Sequence, residues 1–465
     1  MNSGIGRVRF PIIGVLLLCA LQAPTHAATI TVTNTNDSGP GSLRQALAIA
    51  NDGDTISFTV IGTIQLTSGG LLITKSVTIS YPGVNQFSIN GNQALFVFGL
   101  FPGKTAVISN LTMTNGQFGI WNEQGMLTVS NCIVSGNSAD GLYNHKGILT
   151  VNSCVVSLNS ADGLLNDHAE LTITNCIVTA NAFYGLENHT FDLPPRNDPI
   201  LDEGLVTIDN SIISGNAGPG IYNQGNTTIL NSMLTDNSGQ GDFGGGIRNG
   251  SFKAVASTVA VINSTISENS AQGGGGISNE YGLVSIVNST ISSNSAADGG
   301  GAVFNYAGAL QIANSTVSGN SAVSGGGLYN VPDQFGAATI ETGNTIFDAG
   351  ASGENIFNDA GTVTSNGYNL SSDDGSGYLN GPGDQINTDA LLGPLQDNGG
   401  PTLTHMPLPG SPAIDAGDPN FTPPPLRDQR GPCFHRLFGH RIDIGSVETQ
   451  PEPRCPTPRP RPTPR

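Results

Sequence analysis

The segment Leu127-Thr-Val-Ser-Asn-Cys-Ile-Val-Ser-Gly-Asn137 decides the fold, because it returns along the chain in variant form. Its central asparagine marks an anchor held by Asn131, Ser153, Asn175, Asn210, Asn231, Asn263, Asn288 and Asn314, at spacings of 22, 22, 35, 21, 32, 25 and 26. A shorter form begins near Asn110, and the two long spacings are ordinary units carrying insertions. Two and four residues before the anchor the chain is almost always Leu, Val or Ile. Three after it, all eight units are aliphatic, from Val134 to Val317, and six after it all eight are Asn, from Asn137 to Asn320. A second asparagine column runs Asn122, Asn144, Asn166, Asn188, Asn223, Asn249, Asn279, Asn305, Asn330.

Apolar residues at period two in short segments mean strands, about three per unit, separated by Gly/Asn/Ser corners. A unit this short cannot bury its own apolar face, so units must stack. A strand recurring once per unit then lies parallel on its copy in the next turn, at roughly 4.8 Å. The expected architecture is all-β: a single-stranded right-handed parallel β-helix of about a dozen coils over 55–366. Asparagine suits the corners because it tolerates a left-handed backbone and can pass side-chain hydrogen bonds along a stack. Open ends of such a sheet need covering. Ser42-Leu-Arg-Gln45 is a capping box that starts a helical stretch, Leu43 to Ala50, so 28–54 reads as a first strand and a capping helix. Residues 367–448 lose the repeat and gain Pro and Asp, a separate irregular cap; 449–465 alternate Pro with Arg and Thr as an extended tail.

Of the 465 residues only 11% are charged, against roughly 25% in an ordinary domain, and Gly numbers 63. Disorder needs dense charge, a coiled coil needs Ala/Glu/Lys/Leu/Arg, and collagen needs Gly at every third position; none fits. Residues 28–426 carry 7 Lys and Arg against 31 Asp and Glu, a net of −24. That acidic body excludes nucleic acid as a partner and repels anionic polysaccharide unless a divalent cation bridges the two. Arg7 and Arg9, the apolar run Phe10 to Leu21, and Thr25-His-Ala27 describe a secretory signal peptide over 1–27. No other segment is long and apolar enough to span a bilayer. An extracellular or cell-surface monomer is expected.

Gly41-Ser-Leu-Arg-Gln-Ala46 resembles the opening of bacterial secreted β-helix proteins, with Gly41 and Gln45 departing from their usual Cys and Glu. The runs Gly244-Gly-Gly-Ile247, Gly300-Gly-Ala-Val303 and Gly325-Gly-Gly-Leu328 are similar to polymorphic outer membrane protein repeats, without their companion Phe-x-x-Asn. Leu392-Gly-Pro-Leu-Gln-Asp-Asn-Gly-Gly-Pro-Thr402, Ser411-Pro-Ala-Ile-Asp-Ala-Gly417, Asp428-Gln-Arg-Gly431 and Asp443-Ile-Gly445 resemble a choice-of-anchor Q domain. The resemblance implies an exported, surface-associated solenoid of the pectin lyase-like kind.

Three groups of residues are candidates for function. The position before the second asparagine column reads Trp121, Tyr143, Leu165, Glu187, Tyr222, Arg248, Ser278, Phe304, Tyr329, which marks it as outward-facing. Trp121, Tyr143 and Tyr222 there could stack on sugar rings, or merely shield the sheet. The position after it reads Glu123, His145, Asp167, His189 in four successive coils, next to the long acidic insertion 190–204. Imidazole and carboxylate at one strand spacing could hold Zn²⁺, or the acids Ca²⁺; ordinary charge compensation along a ladder is the alternative. Cys132, Cys154 and Cys176 fall on an inward position and read as buried thiols, whereas Cys433 and Cys455 are the disulfide candidate.

Catalysis has weaker signals. A lyase needs a positioned base, and the coils offer only Lys146, Arg196, Arg248 and Lys253. Asp140 and Asp162 align in adjacent coils, but no tight carboxylate trio is visible. The leading expectation is therefore a non-catalytic β-helix for adhesion or glycan binding. The alternative is a polysaccharide lyase or glycoside hydrolase working along the Trp121–Glu187 face.

Overall fold

The computed structural model describes residues 27–451, except 84–85, 191–203, 240 and 251–256. Residues 1–26 of the expected signal peptide, the acidic part of the insertion, Cys455 and most of the Pro/Arg tail lie outside the described residues. The chain is a right-handed parallel β-helix of about 13 turns, as the repeat predicts. Three long sheets run its length, with 14, 13 and 12 strands. Each coil contributes one strand to each. In one coil these are Met126–Ser130 in sheet I, Ile133–Ser135 in sheet II and Leu142–His145 in sheet III. The strand pairings between successive coils are parallel, and along the repeat they keep register, for example Asn122 on Asn144, Asn144 on Asn166 and Asn166 on Asn188, with shifts only at Ala271–Gly273 and Thr342–Gly343.

The corners explain the sequence columns. Between sheets I and II the backbone turns on a single left-handed residue, and that residue is the anchor: Asn131 (φ 51°), Ser153 (55°), Asn175 (55°) and so on to Asn314 (50°). Asn is the non-glycine residue that best accepts this conformation. The two inward asparagine columns form continuous amide ladders. Asn137 donates Nδ2–H to Asn159 Oδ1 at 2.9 Å, Asn159 to Asn181 at 3.0 Å, and Asn181 to Asn216 at 2.9 Å. The second runs from Asn122 to Asn144 (2.7 Å) and on through Asn166 and Asn188 to Asn223. These amides are buried, so each link supplies a partner that water cannot. Between the ladders the aliphatic columns fill the interior.

The cysteine column points inward too. Cys132, Cys154 and Cys176 are buried free thiols, and the backbone N–H of Cys132 donates to Cys154 Sγ at 3.3 Å. Ser211 and its successors take the same place in later coils, accepting the N–H of the preceding coil through Oγ.

At the front, helix α1 (Leu43–Ile49) covers the first coil, with Ser42 Oγ accepting the Gln45 N–H and Gln45 Oε1 accepting the Gly41 N–H. The solenoid continues past 366: the last strands are Thr362–Gly367 in sheet I and Leu370–Ser371 in sheet II. Leu379, just beyond, joins the main core and closes the far end. The remaining irregular chain is more than an end cap, because it folds back along the outer side of sheet II. Thr265 Oγ1 donates to the Leu403 carbonyl at 2.6 Å, Thr290 Oγ1 to Gln429 Oε1 at 2.6 Å, and the Ser446 N–H to Thr316 Oγ1 at 3.1 Å. In earlier coils those threonine positions hold Ile133, Val155, Ile177 and Ile212. Cys433 is disulfide-bonded.

Candidate functional site

The outer side of sheet III gathers nearly every candidate. Parallel register stacks Trp121, Tyr143, Leu165, Glu187, Tyr222 and Arg248 one above the next. Most of this column is half-buried, and Ser278 is fully buried, so it is less open than its varied chemistry suggested. The aromatics largely pack on one another. Tyr143 stacks on Phe118 (5.7 Å between centroids) and on His145 (6.0 Å), which covers its ring. Tyr222 lies between Tyr184 (5.2 Å) and the Arg248 guanidinium (5.5 Å). Trp121 meets Phe118 and Tyr143 edge-on and lines an open notch on its other side.

The next column forms short hydrogen-bonded groups with its neighbours. His145 Nδ1 lies 2.9 Å from Glu123 Oε1, and its Nε2 lies 3.9 Å from Asp167 Oδ2. Trp121 Nε1–H donates to Glu123 at 3.1 Å, and the Tyr143 hydroxyl donates to Asp167 at 2.9 Å. His168 Nδ1 stands 2.6 Å from Asp167, and His189 Nδ1 3.2 Å from Glu187. Burial pushes the Asp167 carboxyl up, but the bonds from His168 and Tyr143 outweigh it and hold the group below its usual range. Glu123 is held low in the same way by Trp121 and His145. The register thus brings Glu123, His145, Asp167 and His189 together as expected. Among the described residues, however, no group of three His, Cys, Asp or Glu side chains is placed to hold a metal ion.

The sequence reading missed a carboxyl trio. Asp140 and Asp162 sit at the corner before sheet III in adjacent coils, and the Asp162 N–H donates to Asp140 Oδ1 at 3.0 Å. The Tyr184 N–H in the following coil donates to Asp162 Oδ1 at 2.9 Å. Glu187 comes up beside them from the outward column, within hydrogen-bond reach of Asp162. Only 7% of Asp140 and 5% of Asp162 is exposed, so water barely solvates them. Burial, then the negative charges of Asp140 and Glu187, push the Asp162 carboxyl up to about 9. Burial also lifts Asp140 to about 6, against the opposing bond from the Asp162 N–H. Burial and the charges beside it therefore leave the proton on Asp162. Tyr184, pushed up to about 12 by burial and then by Glu187, stays a neutral neighbour.

Of the candidate bases, Lys146 is exposed to solvent. Arg248 pairs with Asp242 and with Glu280 (3.3 Å), and Arg196 and Lys253 lie outside the described residues.

Among known families, one described as a right-handed β-helix region matches residues 46–192. No curated protein matches the chain in sequence. Solved structures similar to it include pectate lyase Pel9A, at 17% identity and TM-score 0.44, covering 91% of this chain and 96% of that one. The A-module of a mannuronan C-5 epimerase from Azotobacter vinelandii is 15% identical, with TM-score 0.47 and coverage of 73% and 97%. A family 6 polysaccharide lyase from Pseudopedobacter saltans is 13% identical, with TM-score 0.48 and coverage of 74% and 93%. None of these matches brings support for the choice-of-anchor Q or polymorphic outer membrane protein resemblance. No helix among the described residues is long and apolar enough to cross a membrane. What the comparisons establish for this chain is its architecture, the right-handed parallel β-helix.

Proposed function

We propose that the outer side of sheet III binds a neutral polysaccharide outside the cell and hydrolyses it at the Asp140–Asp162–Glu187 cluster. The observation that carries this reading is the Asp162–Glu187 pair, whose Asp162 carboxyl keeps its proton up to about 9. Burying like-charged acids side by side opposes folding, and such perturbed pairs concentrate where proton transfer is needed. The net −24 of the body favours a neutral chain over an anionic one.

Asp162 and Glu187 stand too close for the arrangement in which about 5 Å or more separates two glycosidase carboxyls. Asp162 is the member of the pair that carries the proton. Asp162 gives its proton to the bridging oxygen as the bond from that oxygen to the anomeric carbon breaks. A water molecule adds to the anomeric carbon and passes its proton to Glu187, which returns it to Asp162. One water is consumed, two hydroxyl-ended fragments leave, and the pair is reset.

The test is release of new reducing ends from neutral polysaccharides by the intact protein and by Asp162→Asn and Glu187→Gln. Turnover that falls at least a hundredfold in both variants supports the reading, since general acid–base groups contribute about 10²–10⁴. Turnover that survives both, or none on any neutral glycan, removes it and returns the non-catalytic adhesion reading to first place.

A further inference from the structure

The outward column of sheet III is interrupted once, and the interruption makes a hole. Trp121 pairs in register with Gly99, and Gly99 with Leu72. With no side chain at 99, an open notch of about 320 Å³ is left, walled by Leu72, Leu95, Phe96, Phe101 and Trp121, with Glu123 at its rim. That is within the range of small-ligand sites, though at its lower end.

The floor is built, not merely vacant. The Phe96 ring sits against glycine backbone at Gly70 and Gly99. A Cβ added at Gly99 would come within 2.7 Å of Phe96 Cε2, and one at Gly70 within 2.5 Å of Cδ2. Side chains at 70 or 99 would lift the ring off the sheet. Glu123, the one charged group at the rim, is already occupied by Trp121, Gln124 and His145. The notch therefore offers no free hydrogen-bonding group, only a fixed aromatic floor, a tryptophan wall and exposed leucines. Such a surface suits a ligand with one apolar face and a polar edge that stays in water, as a sugar ring has.

We infer that this notch is a remote subsite that stacks one neutral pyranose unit on Phe96 against Trp121. The inference rests on the polysaccharide reading above and extends it along the same face. Trp121 is three strand steps from Glu187 in one column, so roughly 14 Å separates notch and carboxyls. A polymer lying along sheet III reaches both.

Trp121 is the only tryptophan in the sequence, so the intrinsic emission of the whole chain reports on this notch. Cellohexaose, laminarihexaose, xylohexaose and maltohexaose are titrated into the full chain carrying Asp162→Asn, which leaves the notch intact and stops turnover. A saturable emission shift with one of them is expected, and Phe96→Ala weakens that binding at least tenfold. Leu72→Asp, at an exposed wall position outside the core, does the same without risk to the fold. Unaltered affinity in both variants overturns the inference. So does a silent Trp121 with a glycan that the parent protein hydrolyses, and that outcome leaves the catalytic reading standing. A shift without turnover in the parent protein has the opposite meaning: the subsite stands and the catalytic reading falls. An emission shift on concentrating the protein alone, with none on adding glycan, assigns the notch to a second copy and overturns the proposal.

Discussion

Replacing Asn159 with Ala isolates what the inner amide ladder contributes. Asn159 Oδ1 accepts both the backbone N–H of Asn137 (3.2 Å) and its Nδ2–H (2.9 Å), while its own Nδ2–H goes to Asn181 at 3.0 Å. Alanine removes the acceptor and leaves two buried donors on Asn137 without partners. Asn181 Oδ1 is less affected, because it still accepts the backbone N–H of residue 159 at 3.2 Å. At about 1–3 kcal/mol for each stranded buried group, the loss should be about 4 kcal/mol. Ser160 is one residue away in the same corner and exposed. Ser160→Ala should change stability by less than about 0.5 kcal/mol. The assay is guanidinium unfolding followed by circular dichroism on the parent and both variants. If Asn159→Ala costs no more than Ser160→Ala, the ladder is an ornament of the fold rather than one of its supports.

Leu158 adopts φ 57° with 65% of its surface exposed, where equivalent corners hold Gly136, Gly215 and Gly319; Leu158→Gly should raise stability by about 0.5–1 kcal/mol, read as a higher melting temperature. Asp162 has its usual carboxyl value of 3.8 when unfolded and about 9 when folded, so the folded chain holds a proton that the unfolded chain has released across that window. Stability should therefore fall as pH rises from about 4 toward 9, and Asp162→Asn should flatten that fall in a melting series across pH. Gln429 Nε2–H donates to the Ser264 carbonyl, Thr265 and Thr402 from within the cap interface, and Gln429→Ala should loosen the cap by about 2–4 kcal/mol, exposing 389–448 to limited proteolysis. Cys132, Cys154 and Cys176 should be silent to thiol reagents in the native protein and react on unfolding.

The coil architecture was legible because stacking writes itself into the sequence. A residue whose neighbours above and below are its own copies must suit that contact in every turn, so asparagine ladders and aliphatic columns appear as columns of letters. The left-handed anchors were legible for the same reason. The carboxyl trio was not, because Glu187 and the aspartates belong to different columns. Asp140 and Asp162 occupy the corner, Glu187 the outward strand position, and only the turn between them brings Glu187 against Asp162 in the coil below. Reading down single columns conceals a diagonal contact of this kind. The fold-back of the cap was hidden too, although the change from Ile and Val to Thr265, Thr290 and Thr316 on sheet II was its trace. The Trp121 column faced outward as read, but ring-on-ring packing leaves Trp121 as the member that lines the open notch.

The functional account turns on whether one carboxyl remains protonated at neutral pH, and carbon-detected NMR titration of the aspartate side-chain carboxyls measures this directly. Comparison with Asp162→Asn identifies the resonance. A midpoint near 9 is the result that the buried Asp162–Glu187 pair requires. A midpoint near the ordinary 3.8 would mean that Asp162 is already ionised, with no proton to give a glycosidic oxygen.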